Sequence, residues 1–274
     1  MQNDRVWLIT GCSSGFGREL ALAAAAAGDR VMATARRPES IADLATYERI
    51  TTTALDVTDP ASIRQAIDTT INAYGRIDVL VNNAGSLVVG AVEEFTMAEL
   101  RQQLDVVFFG AAEVTKAVVP LMRAQGSGTI VQMSSLGGRR TYPGFGAYHA
   151  AKWALEGFSE SLATELAPLG VRVLIVEPGA FRTAFNGNKH VTAELAAYRD
   201  TAGATRQHTV DLTDAEPNDP AKGAAAILKA LDSENPPLRL LLGGDAVDGV
   251  RAHHAESLAE VAAWEHLSRS TAIA

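Results

Sequence analysis

The sequence predicts one α/β domain built on a doubly wound, parallel sheet of seven strands with helices on both faces. Short apolar runs suited to buried strands alternate along the chain with longer segments of helical periodicity. A glycine-rich loop separates the first predicted strand from the first helix, and polar or glycine residues follow most of the other strands. Ligands bind at the carboxyl ends of the strands in such sheets, so this edge is the predicted site.

The predicted strands are the apolar runs that end at these polar or glycine positions. They are Val6–Thr10, Arg30–Ala35, Thr51–Leu55, Ile77–Val81, Thr129–Met133, Val171–Val176 and Leu238–Leu242. The helical segments between them are Arg18–Ala27, Pro60–Tyr74, Met97–Gln125, Gly146–Leu166 and Pro220–Leu231. The composition does not change along the chain. Residues 1–244 are therefore predicted to form one domain, and residues 245–274 a helical extension of it.

Composition and charge narrow the classes of function. Of 274 residues, 47% are hydrophobic and 20% are charged, as expected for a globular protein with a large core. A net charge of −8 without a long basic run argues against nucleic acid or an anionic membrane as a partner. Cys12 is the one cysteine, which excludes an internal disulfide. We see no secretion signal or membrane-spanning run and expect a cytoplasmic protein.

The loop after the first strand has the form of a phosphate-binding turn. It runs Gly11-Cys-Ser-Ser-Gly-Phe-Gly17, and its candidate cofactor contacts are Gly11, Ser13, Ser14, Gly15 and Phe16. A helix that begins at such a loop presents backbone N–H groups and the positive end of its dipole to a phosphate. Glycines also serve ordinary turns, so the position between strand and helix is what favours a dinucleotide.

The end of the second predicted strand indicates which dinucleotide is bound. Sites that prefer NAD carry an acidic residue there for the ribose 2′-hydroxyl. This chain has Ala35-Arg36-Arg37 instead, and the two guanidiniums can pair with a 2′-phosphate. An exposed basic turn before Pro38 would look the same. The position favours NADP, with NAD as the alternative cofactor.

Tyr148 and Lys152 are the candidate catalytic pair. Residues four apart share one face of a helix, so both side chains can enter one cleft. A phenol has a pKa near ~10 in water, and a neighbouring ammonium favours its phenolate, which predicts a general acid/base. Ser135 follows an apolar run and can polarise a carbonyl oxygen. The pair alone would fit an exposed helix surface; the features around it favour catalysis.

Together these motifs resemble the short-chain dehydrogenase/reductase family in its compact form, a Rossmann-like fold, over roughly residues 5–244. The matching motifs are Thr10-Gly-x-x-x-Gly-x-Gly17, Asn82-Asn-Ala-Gly85, Ser135, Tyr148-x-x-x-Lys152 and Pro178-Gly179 with Thr183 shortly after. The resemblance implies that Tyr148 exchanges a proton with the substrate oxygen and that Ser135 holds this oxygen. It also implies that Lys152 lowers the pKa of Tyr148 and binds the nicotinamide ribose.

The same resemblance implies the remaining cofactor contacts. Asp56 and Val57 would lie at the adenine, and Asn83, Ala84 and Gly85 along the adenosine side. The nicotinamide would be seated by Pro178, Gly179 and Thr183. No metal-ligand spacing occurs, so no metal is expected.

The chain departs from the family pattern at Val107, where members usually carry an Asn three residues before a Gly. That Asn helps to hold a water beside the lysine, so the route of the proton is expected to differ. Gln103 lies one helical turn earlier and is the predicted substitute, with an open water channel as the alternative.

Two segments lie outside the motifs. The insertion 181–216 is expected to cover the substrate, with Arg139, Arg140 and Tyr142 at the pocket mouth. The C-terminal extension is expected to pack on the domain, ahead of a role as a dimer contact or substrate lid, and a homo-oligomer is left open. Its apolar positions at helical spacing are Val247, Val250, His254, Leu258, Val261, Trp264 and Leu267.

The leading prediction is an NADP-dependent oxidoreductase that interconverts a small-molecule carbonyl and a secondary alcohol. A cofactor-binding sensor or scaffold with weak or no turnover is the alternative, and Val107 gives it some support. The presence of Ser135, Tyr148 and Lys152 together argues against it. The glycine spacing disfavours a third class, the epimerases and dehydratases of the extended relatives.

Overall fold

Nine strands form in the part of the chain that the computed structural model describes, residues 4–185, 189–211 and 215–273. In chain order they are β1 (Val6–Ile9), β2 (Arg30–Ala35), β3 (Ile50–Ala54), β4 (Val79–Asn82), β5 (Val88–Val89), β6 (Gly128–Met133), β7 (Val171–Pro178), β8 (His190–Val191) and β9 (Arg239–Leu242). Seven of them form a parallel sheet in the order β3-β2-β1-β4-β6-β7-β9. The predicted fold class and all seven predicted strands are confirmed, with no end displaced by more than two residues.

The described residues also form eight α-helices. They are α1 (Gly15–Ala26), α2 (Pro60–Tyr74), α3 (Met97–Leu104), α4 (Gly110–Gln125), α5 (Gly146–Leu166), α6 (Ala204–Asp211), α7 (Pro220–Leu231) and α8 (Gly244–Arg269). Helices α2, α5 and α7 have the predicted ends. The carboxylates of Asp59 and Asp219 cap α2 and α7 by accepting from the N–H groups two residues later. A proline follows each cap at a position that needs no N–H.

The predicted helix over 97–125 is wrong in one respect, because a π-helical turn at Asp105–Phe109 separates α3 from α4. The N–H of Gly110 donates to the carbonyl of Asp105, five residues earlier. Such a turn inserts a residue into the helix and offsets the faces before and after it. Val107 lies within this turn.

Helices cover both faces of the sheet, and the side chains of each central strand alternate between two cores. Trp7 and Ile9 point into the core that α1 and α7 cover. Leu8, between them, points into the core that α2, α4 and α5 cover. All three are fully buried. Burial of the central strands between these two cores therefore fixes the positions of their carboxyl ends.

Two short strands that the sequence analysis did not predict, β5 and β8, pair in parallel as a second sheet. Val88 pairs with His190, and Val89 with Val191. The pairing anchors the 181–216 insertion beside the edge where the sheet strands end. Residues 186–188 and 212–214 of this insertion lie outside the described residues.

The C-terminal extension forms α8, but the expectation that it packs on the domain holds only for its first turns. Ala246 and Val250 are buried. In contrast, Leu258, Val261, Trp264 and Leu267 are 59–70% exposed. The helical spacing of these apolar residues predicted the helix correctly. It does not indicate which surface, if any, buries them. Among the described residues, no helix combines the length and apolarity needed to cross a membrane.

Candidate active site

The glycine loop leaves β1 at Gly11 and enters α1 at Gly15. These two residues have φ angles of 74° and 56°, which glycine adopts without strain. A Cβ atom on Gly11 would lie 2.9 Å from the Cα of Ala84, and one on Gly17 would collide with the side-chain amide of Asn83. The close approach of these segments therefore requires glycine.

The N-terminus of α1 is open to an anion. Ser14 is the N-cap, but its hydroxyl makes no capping hydrogen bond, and Ser13 is exposed. The first N–H groups of a helix lack intrahelical partners and carry the positive end of the helix dipole. The ring centroid of Phe16 lies 4.8 Å from that of Phe181, which ties this end of α1 to the segment after β7. A pyrophosphate fits the cradle that the glycines leave.

The segment after β4 locks the glycine loop in place. The N–H groups of Asn83 and Ala84 donate to Oγ1 of Thr10 at 2.9 and 3.0 Å. The side-chain amide of Asn83 donates to the carbonyls of Thr10 and Gly11, both at 3.0 Å. Gly85 follows and is exposed at the same edge. The structure thus brings the Asn83–Gly85 segment against the loop.

Arg36 and Arg37 are exposed at the carboxyl end of β2, beside the end of β3. Oδ1 of Asp56 accepts from the N–H and the hydroxyl of Thr58 at 2.9 and 2.7 Å. Partial burial opposes ionisation of Asp56, but these hydrogen bonds and the charge of Arg36 lower its pKa overall. Val57 is buried against α4 at Gly110. The exposed guanidiniums and the hydrogen-bonded carboxylate of Asp56 therefore lie at neighbouring strand ends.

The segment after β7 closes the other side of the cleft. The N–H of Gly179 donates to the carbonyl of Leu242 at 2.9 Å, directly after Pro178. Asp245, in the first turn of α8, accepts from the N–H of Ala180 at 2.7 Å. The Cβ of Thr183 lies 3.2 Å from where a Cβ on Gly15 would be, so the segment reaches the glycine loop.

Ser135 and Tyr148 meet at the centre of this edge. Oγ of Ser135 accepts from the N–H of Gly137 at 3.0 Å. Burial raises the pKa of Tyr148 to about 12, although a hydrogen bond with Ser135 offsets part of the rise. The Phe185 ring lies 6.0 Å from that of Tyr148, centroid to centroid, and borders the same space. Tyr148 is therefore protonated at neutral pH in the protein as it stands.

Lys152 lies one turn of α5 after Tyr148, as predicted. Its Nζ atom is 5.6 Å from the Tyr148 ring centroid and donates to the carbonyl of Met133 at 2.6 Å. Burial lowers the pKa of Lys152 to about 8, while the charge of Glu156 acts in the opposite direction. Burial of the phenol dominates the pKa of Tyr148 in this structure, and the expected lowering of that pKa by Lys152 stays a prediction.

Gln103 does not serve Lys152, so the predicted substitute for the missing Asn is wrong. Its Oε1 accepts from the N–H of Val88 at 2.8 Å, and its Nε2 donates to the carbonyl of Ser86 at 2.8 Å. Gln103 is fully buried and supports β5. The π-helical turn offsets its face from that of Val107, which is itself 1% exposed.

The arginines expected at the pocket mouth face α8 instead. Nη1 of Arg139 donates to the buried carboxylate of Glu177 at 2.7 Å, and its Nη2 lies 2.8 Å from Nε2 of His254. Arg140 donates to the carbonyl of Gly249 and lies over the ring of Tyr142. The prediction missed this because α8 was not placed against their loop.

The family model for the short chain dehydrogenase matches residues 5–194 of this chain, over the glycine loop, Ser135, Tyr148 and Lys152. The chain belongs to the short-chain dehydrogenase/reductase family. It is therefore an oxidoreductase that acts on CH–OH groups, with an NAD(P)-binding Rossmann fold. No metal-binding group of His, Cys, Asp or Glu side chains occurs within the described parts of this dehydrogenase.

Relatives that are matched over most of their length agree with this assignment. The dehydrogenase is 41% identical to oxidoreductase BOA17 of Botryotinia fuckeliana, over 98% of this chain and 99% of that one. It is 38% identical to a 3-ketodihydrosphingosine reductase of Bacteroides thetaiotaomicron, over 87% and 88%. The crystal structure of a short-chain dehydrogenase from Streptomyces avermitilis has 50% identity and a TM-score of 0.92, with 99% of both chains covered.

More distant structures do not separate the two cofactors. One from Burkholderia phymatum, in complex with NAD, has 22% identity and a TM-score of 0.84 over 94% of this chain and 96% of that one. A serine dehydrogenase complexed with NADP⁺ has 25% identity and a TM-score of 0.76 over 86% and 94%. Homologues of this dehydrogenase thus bind NAD or NADP, and its own residues must indicate the preference.

Several residues that support the site of this dehydrogenase were not predicted from the sequence. Asp245 and Asn218 hold the Gly179–Ala180 turn, since the Asn218 amide donates to the carbonyl of Ala180 at 2.8 Å and to Asp245 at 3.0 Å. Glu156 is 4% exposed and ion-pairs with Arg239 at 3.1 Å. Glu156 could have been predicted, because it is an acidic residue one helical turn after Lys152. The contact of Asp245 with Ala180 could not, because it joins residues 65 positions apart and no local pattern indicates it.

Proposed function

We propose that the protein is an NADP-dependent enzyme that interconverts a carbonyl and a secondary alcohol, with Tyr148 as general acid/base. The observation that carries this proposal is the convergence of Ser135, Tyr148 and Lys152 at the strand edge that also holds the open end of α1. A nicotinamide bound along that edge would supply or accept the hydride. The protein's own residues then have to hold the substrate oxygen and move one proton.

Each member of the catalytic set has a separate task. The Ser135 oxygen already accepts from Gly137, so its own hydrogen can be donated to the substrate oxygen. Tyr148 carries its proton at neutral pH and donates it to the same oxygen during reduction. Lys152, whose ammonium Met133 anchors, stabilises the phenolate that remains and binds the ribose hydroxyls.

The cofactor contacts follow the same edge. Gly11, Ser13, Ser14, Gly15 and Phe16 would hold the pyrophosphate, and Asn83, Ala84 and Gly85 the adenosine side. Arg36, with Arg37 as a second partner, would pair with the 2′-phosphate, while Asp56 and Val57 border the adenine. Pro178, Gly179 and Thr183 would seat the nicotinamide. The preference for NADP rests on the two exposed guanidiniums at the end of β2.

The surroundings of Tyr148 favour an uncharged substrate with an apolar or aromatic flank. Phe185 borders the space in front of the phenol and lies 3.5 Å from where a Cβ on Gly85 would be. Arg139 and Arg140, which could have met an anionic group, are engaged by Glu177 and α8. A carboxylate-bearing substrate would therefore enter the cleft without these cations to balance its charge.

A panel of carbonyls and secondary alcohols, followed at the nicotinamide absorbance, tests the proposal. The panel pairs uncharged aromatic or aliphatic ketones with analogues that bear a carboxylate, and each is run with NADP(H) and with NAD(H). We expect turnover of uncharged members with NADPH. Failure of every carbonyl and alcohol with both cofactors would contradict the proposed reaction.

A further inference from the structure

His149 follows Tyr148 on α5 and has no part in the reaction described so far. It is 5% exposed and bridges two points of the loop that runs from Ser135 to Tyr142. Its Nδ1 lies 2.8 Å from the carbonyl oxygen of Gly137, and its Nε2 lies 2.8 Å from the backbone nitrogen of Tyr142. One imidazole therefore closes the loop across five residues.

The two partners determine the form of the ring. The backbone N–H of Tyr142 can only donate, so Nε2 must be an acceptor without a hydrogen. The carbonyl of Gly137 can only accept, so Nδ1 carries the hydrogen. Burial lowers the pKa of His149, which agrees with this neutral tautomer. Both nitrogens are occupied by the backbone, so the ring is not placed to exchange protons with a substrate.

The bridge reaches the substrate oxygen site through Gly137. The carbonyl of Gly137 accepts from Nδ1 of His149. The N–H of the same Gly137 donates to Oγ of Ser135 at 3.0 Å. A Cβ on Gly137 would lie 3.0 Å from Nδ1 of His149 and 3.1 Å from Cε1 of Tyr148. Gly137 is thus held between the imidazole and the phenol. A shift of Gly137 would therefore move the N–H group from which Oγ of Ser135 accepts.

We infer that His149 is a positioning residue, which acts through Gly137 to aim the Ser135 hydroxyl at the substrate oxygen. This inference rests on the proposed function for its catalytic meaning, but the bridge itself can be tested without turnover. Because Ser135 accepts from Gly137, its remaining hydrogen points to another acceptor. Loss of the bridge would leave Ser135 present but misdirected.

The first arm of the test is amide hydrogen exchange in the native protein, His149→Phe and His149→Gln. The phenylalanine keeps a buried ring and removes both hydrogen bonds, whereas glutamine keeps one donor and one acceptor. We expect the amides of Gly137 and Tyr142 to exchange at least tenfold faster in His149→Phe, with partial recovery in His149→Gln. Unchanged exchange at both amides would overturn the inference. If His149→Phe does not fold, His149→Leu takes its place, because it also removes both hydrogen bonds, and unchanged exchange at both amides would again overturn the inference.

The second arm is a double-mutant cycle on kcat that combines His149→Phe with Ser135→Ala. Ser135→Ala removes a donor to the developing oxyanion and should cost about a hundredfold. We expect His149→Phe to cost about tenfold or more in the native background and less than about twofold beside Ser135→Ala. Equal factors in both backgrounds would mean that the imidazole has only a structural role and would overturn the inference.

Arg140→Met is the matched control, because it loosens the same loop from α8 without touching Gly137. Its effect on kcat should be the same with and without Ser135. Affinity for NADPH, measured by its fluorescence, should be unchanged in all variants. If the native protein turns over no carbonyl, the proposed function fails, while the exchange result still decides the bridge.

Discussion

The Nζ atom of Lys152 lies 2.6 Å from the carbonyl oxygen of Met133, the last residue of β6. The contact ties the buried ammonium to the strand that leads directly into Ser135. It gives Lys152 a polar partner even though Val107 occupies the place of the usual Asn. Glu156 adds an opposite charge one turn later on α5. The lysine is therefore held by the sheet and by its own helix, and not by Gln103.

Lys152→Met should have a higher free energy of unfolding than the native protein at neutral pH. This gain should be smaller at high pH. Burial lowers the pKa of Lys152 from 10.5 to about 8, so between these values the unfolded state binds more protons than the folded state. The contribution of Lys152 to the free energy of unfolding therefore rises with pH in this window, and its full penalty is present below it. Urea unfolding at pH 7 and pH 10 measures the difference.

The gain of Lys152→Met over the native protein should shrink by on the order of 1–3 kcal/mol from pH 7 to pH 10. The hydrogen bond to Met133 is lost at both pH values, and any dependence of its strength on the charge of Lys152 is already contained in the pKa of Lys152. Lys116→Met, at an exposed position, is the control and should show no such trend. A gain that grows with pH would mean that the folded protein favours the ammonium.

Gln103→Leu should reduce stability without changing the pH dependence of turnover. Leucine leaves the N–H of Val88 and the carbonyl of Ser86 without their side-chain partner, at a cost of roughly 1–3 kcal/mol for each unsatisfied group. Thermal unfolding measures the loss, with the exposed neighbour Gln102→Leu as control. A shifted pH profile of kcat in Gln103→Leu would restore a proton-relay role for this residue.

Arg36→Ala should weaken NADP(H) binding and leave NAD(H) binding almost unchanged. A charge-assisted pair with a phosphate contributes about 1.5–3 kcal/mol, which corresponds to a ten- to hundredfold change in Kd. Titration of both cofactors into the native protein, Arg36→Ala and Arg37→Ala separates the two guanidiniums, with Arg172→Ala as an exposed control. Equal native affinities for the two cofactors would reject the NADP assignment.

Local signals in the sequence predicted most of the fold and the placement of Tyr148 and Lys152, the candidate catalytic pair, on one helix. Asp59-Pro60 and Asp219-Pro220 mark helix starts through chemistry confined to a few residues, and the predicted ends of α2 and α7 match the structure. The spacing of Tyr148 and Lys152 is likewise a property of one helix. Such features need no knowledge of distant contacts.

The errors of prediction all involve contacts between distant segments or a local change of helix type. The π-helical turn at 105–109 redirected Gln103, and no propensity rule marks such a turn. Arg139 and Arg140 contact α8 and do not line the pocket mouth. The raised pKa of Tyr148 follows from burial, which depends on the packed structure and cannot be read from a spacing.

Tyr148 is proposed to donate the proton to a substrate oxygen that Ser135 holds. Tyr148→Phe removes one oxygen atom and keeps the ring, so the fold and the affinity for NADPH should survive. The decisive measurement is single-turnover reduction of a confirmed ketone by enzyme loaded with NADPH, native against Tyr148→Phe. We expect the rate to fall by about 10²–10⁴ at unchanged NADPH affinity. A Tyr148→Phe rate within about threefold of the native rate would contradict the role of Tyr148 as the proton donor.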